Sequence, residues 1–284
     1  MKWKKILTIV MISLLVIGLC LVNAFIANPK QLTVREETLT SAKIDNDLQG
    51  LQIAYFSDLH YGTFIDDAFV KKMADMINGY TPDVILFGGD LVDHLSDHPL
   101  KEEQKQALIE TLKSLKAPYG KYAVLGDQDL DNLAVKETVE EILTSADFRI
   151  ITNTSTRIFA DKDSSINLVG IDSLDMGRPD PDSAFEGVNP YYYTIVLTHC
   201  PDTFDSLPLD RVDYVLAGHS HGGQVYIPIV DLFFREKGYE KYLRGKIVRG
   251  ESVLDITNGV GMTDKKVRFS ADAEIVLYRL MPDS

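Results

Sequence analysis

Cysteine is almost absent from this 284-residue chain: Cys20 lies in an apolar N-terminal run and Cys200 in the body. No disulfide framework can organise such a fold. Internal repeats and low-complexity segments are missing as well, which excludes a repeat array and a disordered polar tract. Basic charge is scarce, with 29 Lys and Arg against 42 Asp and Glu. Residues 1–30 hold four lysines and no acid, which leaves the remainder at −17. A body this acidic is a poor partner for nucleic acid, and a nuclease reading is disfavoured on that ground. It can still take a phosphate locally if metal ions supply positive charge.

What is present is an ordinary apolar fraction, 45%, enough for a substantial core. Ile6 to Ala27 is apolar and uncharged, long enough to cross a hydrocarbon core. Lys2, Lys4 and Lys5 precede it, which places the N-terminus in the cytoplasm and the rest outside. A cleaved leader ending at Val22-Asn23-Ala24 is the competing reading, and it would make the protein secreted. The run exceeds the usual leader core, so retention as an anchor is preferred. The expected organisation is a basic N-terminus (1–5), a transmembrane segment (6–27), a tether with a leading strand (28–50) and one domain (51–284).

The body alternates β-type runs with helical patterns, the mark of an α/β domain. Strands are expected at Leu51–Phe56, Asp83–Phe87 and Tyr119–Leu125, and helices at Asp66–Gly79, Lys101–Leu115 and Val135–Ala146. Later strands are expected at Ile166–Ile171, Thr194–Thr198, Tyr214–Ala217, Ser252–Thr257 and Glu274–Arg279.

Metal-type side chains follow these strands. Asp58 and His60 follow the first, Asp90 and Asp93 the second, Asp127 and Asp129 the third, and His199, His219 and His221 two later ones. Ligands in open α/β sheets sit at the carboxyl ends of strands. A lone Asp after a strand is usually a turn or cap residue, and a lone His is usually structural. Five strand ends delivering carboxylates and imidazoles together are a different matter. That donor mix suits Mn, Fe or Zn, and two such ions can clamp a phosphoryl group.

Ser57-Asp58-Leu59-His60, Gly89-Asp90-Leu91-Val92-Asp93, Gly126-Asp127-Gln128-Asp129, Thr198-His199 and Gly218-His219-Ser220-His221 resemble the ordered motifs of calcineurin-like metallophosphoesterases. Gly222-Gly223-Gln224-Val225 is similar to the membrane-associated branch, which includes YkuE-like proteins and enzymes cleaving UDP-diacylglucosamine. The resemblance implies a four-layer αββα sandwich, two packed mixed β-sheets flanked by helices. It implies that Asp58, His60 and His221 hold one metal, that Asp90 bridges, and that His199, His219 and Asp127 hold the second. Asp93 and Asp129 would fix geometry from behind. The cofactor is expected to be two divalent ions, manganese foremost with iron or zinc as alternatives. The substrate would be a phosphorylated small molecule or a lipid-linked pyrophosphate.

The third motif departs from the family's Gly-Asn-His pattern. Asp127 stands in place of a neutral amide, which favours metal binding over attraction for an anionic substrate. Gln128 stands in place of a histidine. It can orient a phosphoryl oxygen but cannot act as a general acid. His94 and His98 are candidate replacements, although solvated loop positions account for both. Cys200 reads as a small packing residue rather than a nucleophile. Tyr226 to Arg249 combines apolar residues with a local basic excess, suited either to lipid headgroups or to covering a sheet edge. A metal-binding pseudoenzyme serving as an envelope binding module is the alternative from another class.

Overall fold

Strands that alternate bulky apolar residues on both faces need partners on both faces. That demand is met by two six-stranded sheets lying one on the other. The computed structural model describes residues 2–159, 164–228 and 235–283. The chain opens with helix α1 (Lys2–Val22), which runs on through a π-helical turn (Asn23–Ala27) and a 3-10 turn (Asn28–Lys30) to β1 (Thr33–Ser41). It continues through β2 (Gln52–Phe56), α2 (Asp67–Gly79), β3 (Val84–Phe87), α3 (Glu102–Lys113), β4 (Lys121–Ala123), α4 (Leu133–Ser145) and β5 (Phe148–Ile150). Then come β6 (Thr154–Phe159), β7 (Ser165–Gly170), α5 (Pro181–Ala184), β8 (Thr194–Leu197), β9 (Tyr214–Ala217), β10 (Gly245–Arg249), β11 (Ser252–Ile256) and β12 (Glu274–Pro282).

The first sheet has the order β1-β12-β2-β3-β4-β5 and the second β10-β11-β9-β8-β7-β6. Strands β2 to β5 run parallel, as do β7, β8, β9 and β11. The two-residue period of a strand sorts the layers. In β2, Ile53 and Tyr55 enter the core between the sheets, while Ala54 and Phe56 face the helices. Helices α2, α3 and α4 cover the first sheet with Val70, Met73, Leu108, Leu112, Val139 and Ile142. Each such buried aliphatic contributes about 1.5–3 kcal/mol. The outer face of the second sheet is covered more thinly, by the single-turn α5 and a 3-10 segment, with Phe185 and Phe204 filling the layer.

Helix boundaries follow capping chemistry. The Asp66 carboxylate accepts the Phe69 N–H, and the Asn132 side chain accepts that of Val135. Strands β5, β6 and β10 were not expected from the sequence: β5 has three residues, and β6 and β10 are exposed edge strands without apolar alternation. The expected Tyr119–Leu125 strand shrinks to three paired residues, because its ends turn into loops. The basic segment 226–249 ends as β10, the edge strand of the second sheet, and its apolar centre, residues 229–234, lies outside the described residues.

The apolar stretch Trp3–Ala27 is helical, and only 6% of its most apolar window is buried. Its length, roughly 37 Å at the α-helical rise, is sufficient to cross a membrane. Only Asn28–Leu32 separates it from β1.

Candidate metal centre

Parallel strands put their carboxyl ends on one edge, so the loops after β2, β3, β4, β8 and β9 meet there. Asp58, His60, Asp90, His219 and His221 all take positive φ, between 46° and 65°. Non-glycine residues seldom do so, and such backbone clusters at functional sites. The turn lets both Asp58 and His60 face the same cleft despite their proximity in sequence. Glycines make room: a Cβ on Gly126 would overlap Asp90 Oδ1, and one on Gly218 would overlap Asp58 Oδ2.

The side chains form two groups joined by a third. Asp58, His60 and His221 place one ligand-type atom each within 4.8 Å of one another, as do Asp90, His199 and His219. Asp127 lies with His219 and Cys200 in the same manner. Asp90 Oδ2 stands between the groups, 3.7 Å from His60 Nε2 and 3.3 Å from His199 Nε2. Every metal-type residue expected from the sequence is therefore in one place. His94 lines the same cleft, about 43% exposed, whereas His98 is exposed outside it.

The donor atoms fit metal ions. His199 donates its Nδ1 proton to the Gly88 carbonyl at 2.8 Å, which turns Nε2, buried and without a hydrogen-bond partner, toward Asp90 as the atom for a cation or a proton. Asp58 Oδ2 is buried and unpartnered too. His60 Nδ1 lies 3.8 Å from the Asp93 carboxylate, beyond hydrogen-bond distance, and is buried without a partner, while its Nε2 turns toward His221. That Nε2 lies 3.0 Å from Nε2 of His221. Two ligands of one ion have such a spacing: with bonds of ~2.1 Å they meet at roughly 90°.

Electrostatics tell the same story. Burial opposes charge on His199, but the Asp90, Asp127 and Asp58 carboxylates outweigh it and raise its pKa well above the usual imidazole value. Burial and then the His219 hydrogen bond act on Asp127, with the net effect of lowering its pKa. His219 meets acceptors on both ring nitrogens, Asp127 Oδ2 at 2.8 Å and the Lys237 carbonyl at 2.9 Å, and its pKa is raised. These buried carboxylates demand positive charge, which protons or divalent cations can supply. His221 goes the other way, held well below the usual value by burial and by neighbouring His60 and Arg268, and so is neutral and free to ligate.

Asp129 accepts the N–H groups of Asp90, Leu91 and Gly126 at 2.8–2.9 Å and positions the Asp90 loop. Its carboxyl is pushed up to about 7, by burial and then by Asp90. Gln128 accepts the His94 N–H at 2.8 Å and donates to Thr263 Oγ at 3.3 Å, so its amide is partly committed. Cys200 is buried, and its thiol is pushed up to about 11 by burial and by Asp127. It is no nucleophile at neutral pH.

Three residues escaped the sequence reading. Ser173 donates its hydroxyl to Asp127 Oδ1 and follows β7, another parallel strand end, so the same rule could have found it. Thr263 donates to Asp93. Arg268, fully buried, gives its guanidinium to the carbonyls of Asn258, Gly259, Gly261 and Ala271. Thr263 and Arg268 lie in the β11–β12 loop, which shows neither strand nor helix periodicity.

A cleft of about 630 Å³ opens over these groups. The profile described as calcineurin-like phosphoesterase matches residues 51–223, and the chain belongs to that family of metal-dependent phosphoester hydrolases. The family uses a dinuclear metal site. The chain is 28% identical over 252 residues to the uncharacterized metallophosphoesterase YkuE of Bacillus subtilis (strain 168), covering 89% of this chain and 86% of that protein. It is 27% identical to the UDP-2,3-diacylglucosamine pyrophosphatase LpxG of Chlamydia trachomatis, covering 82% and 84%. It is 30% identical to the phosphodiesterase YaeI of Escherichia coli (strain K12), covering 81% and 82%.

Proposed function

We propose that the chain is a two-metal hydrolase of phosphoester or phosphoanhydride bonds, anchored at the outer face of the cell membrane and acting on a lipid-linked substrate of the UDP-diacylglucosamine kind. The observation that carries this reading is the convergence of seven ligand-type side chains with Asp90 at their centre, five of the seven, Asp90 included, on left-handed backbone. Relatives named as a pyrophosphatase and a phosphodiesterase support the bond type.

Asp58, His60 and His221 would hold one ion, and His199, His219 and Asp127 the other, with Asp90 shared. Two divalent ions supply Lewis acidity toward a phosphoryl oxygen and a water acidic enough to attack near neutral pH. Manganese is the ion we assign, since imidazole and carboxylate donors accept it, with iron or zinc as alternatives.

The remaining work falls to the chain. The Gly88 and Lys237 carbonyls each accept from the far nitrogen of a ligating imidazole and set its orientation, and the Asp93 carboxylate lies 3.8 Å behind His60. Gln128 reaches the cleft and can give an amide N–H to a phosphoryl oxygen, but it holds no proton for a leaving group. A leaving group that departs as a weak base, such as a phosphate, needs no such proton. That favours a pyrophosphate or an activated ester over an alkyl ester.

The test is hydrolysis by the manganese-loaded chain of a UDP-diacylglucosamine lipid beside an alkyl and an aryl phosphodiester of matched shape. The reading expects the pyrophosphate and the aryl ester to turn over far faster than the alkyl ester. Equal rates on all three would reject it.

A further inference from the structure

We propose that the end of the N-terminal helix is locked to the rim of the metal-site cleft, so that the cleft opens onto the near leaflet of the bilayer that the helix crosses. This rests on α1 being retained as an anchor and on the cleft being the catalytic site.

The joint has little slack. Five residues, Asn28–Leu32, connect the helix to β1, and Ala24, Asn28 and Leu32 are all buried against the domain. The Arg268 N–H bonds the Ala24 carbonyl at 3.1 Å, and the Asn28 side-chain amide bonds Asp272 at 3.1 Å. Arg268 is itself immobile, because its buried guanidinium spans the carbonyls of Asn258, Gly261 and Ala271 at 2.6–2.9 Å. The same loop bonds the metal-site turn directly: Val260 N–H to the Ser57 carbonyl at 2.9 Å and Gly261 N–H to that of Asp58 at 2.7 Å. A flexible leash has no such contacts.

The loop also forms the cleft wall. Thr263, Lys265 and Val267 line the cleft immediately before Arg268. Phe269, one residue beyond, pairs with Val225 on the neighbouring wall. Ile227 lies two residues farther along that wall, ~7 Å of extended chain. The mouth of the cleft therefore sits at the foot of the helix.

The surface there fits a lipid headgroup layer. Phe25 and Ile26 are more than half exposed and Ile227 is 44% exposed. Lys265 and Lys266 are exposed in the loop that ends at Arg268, outnumbering the exposed Asp264 before them, and the Arg244 guanidinium lies over the Tyr226 ring at 4.2 Å. Cations and apolar side chains gathered at one point of a body carrying −17 are what an anionic lipid surface attracts. A substrate could then present its phosphoryl group while its acyl chains stay in the membrane.

The experiment uses the full chain carrying Cys20→Ser with Ile227→Cys, labelled with an environment-sensitive fluorophore. It is reconstituted into phosphatidylcholine–phosphatidylglycerol vesicles with and without doxyl-labelled lipid. The label on Glu251→Cys, exposed in the β10–β11 turn at the opposite end of the parallel strands from the metal site, serves as control. Trp3, the single tryptophan, reports insertion of the helix. We expect doxyl quenching at Trp3 and at position 227, and none at 251. Quenching at Trp3 without quenching at 227 overturns the proposal, as does equal quenching at 227 and 251. Absence of quenching at Trp3 removes the anchor and the proposal with it. None of these readouts depends on turnover, so they stand apart from the hydrolase reading.

Discussion

Asp129 holds Asp90 by the backbone: its Oδ2 accepts the Asp90 N–H at 2.8 Å, and its Oδ1 accepts that of Leu91 at 2.9 Å. Oδ2 also takes the Gly126 N–H at 2.9 Å, so one carboxylate joins the loops after β3 and β4. Asp129→Asn replaces one acceptor oxygen with an NH2 group facing a buried N–H. Stability should fall by about 1–3 kcal/mol. Metal affinity should fall about 10–100-fold, since a group that orients ligands is lost. Thermal unfolding and metal titration of the variant read both; unchanged values would show that Asp129 only fills space.

Asp127 adds a negative charge to a centre already holding Asp58 and Asp90. Asp127→Asn should weaken binding of one metal ion while lowering KM for an anionic substrate. Isothermal titration of metal and steady-state kinetics separate the two effects. Tighter metal binding in the variant would contradict the charge argument.

Protons compete with metal at His199 and His219. Both have raised pKa values, so more protons occupy these rings as pH falls. Metal affinity should therefore rise with pH through the neutral range, with protons released on binding. Calorimetry in buffers of different ionisation enthalpy counts those protons. A pH-independent affinity would mean that these imidazoles do not ligate.

Gln128→His restores a group that can carry a proton to the leaving oxygen. Rates on an alkyl phosphodiester should rise by about 10²-fold, within the usual range for general acid catalysis. Rates on an aryl ester should change little. The variant also loses the amide contacts to His94 and Thr263, so a parallel unfolding curve is needed to separate chemistry from stability.

Much of this architecture was legible because the strands that carry the site are buried runs of β-type residues. Leu51–Phe56, Asp83–Phe87 and Tyr214–Ala217 could be read directly, and the acids and histidines just after them fell into place. Edge strands such as β6 and β10 were not legible, since a strand half in solvent needs no apolar run. Nor was the role of Arg268. Its neighbours, Asn258 to Ala271 and Ala24, come together only when the chain folds, and a lone arginine beside a phenylalanine carries no pattern. The thin covering of the second sheet was hidden for a related reason. Pro201–Ser206 and α5 are too short to show helical periodicity.

The account turns on Asp90, whose Oδ2 lies within 3.7 Å of an imidazole from each group. The decisive measurement strips metal from the full chain in detergent, restores Mn, Fe, Zn or Mg separately, and follows hydrolysis of an aryl phosphodiester beside Asp90→Ala. Turnover that requires a divalent ion, binds two per chain and is lost in a folded Asp90→Ala variant is the predicted result. Turnover that is indifferent to metal, or that survives in Asp90→Ala, would contradict a shared dinuclear centre.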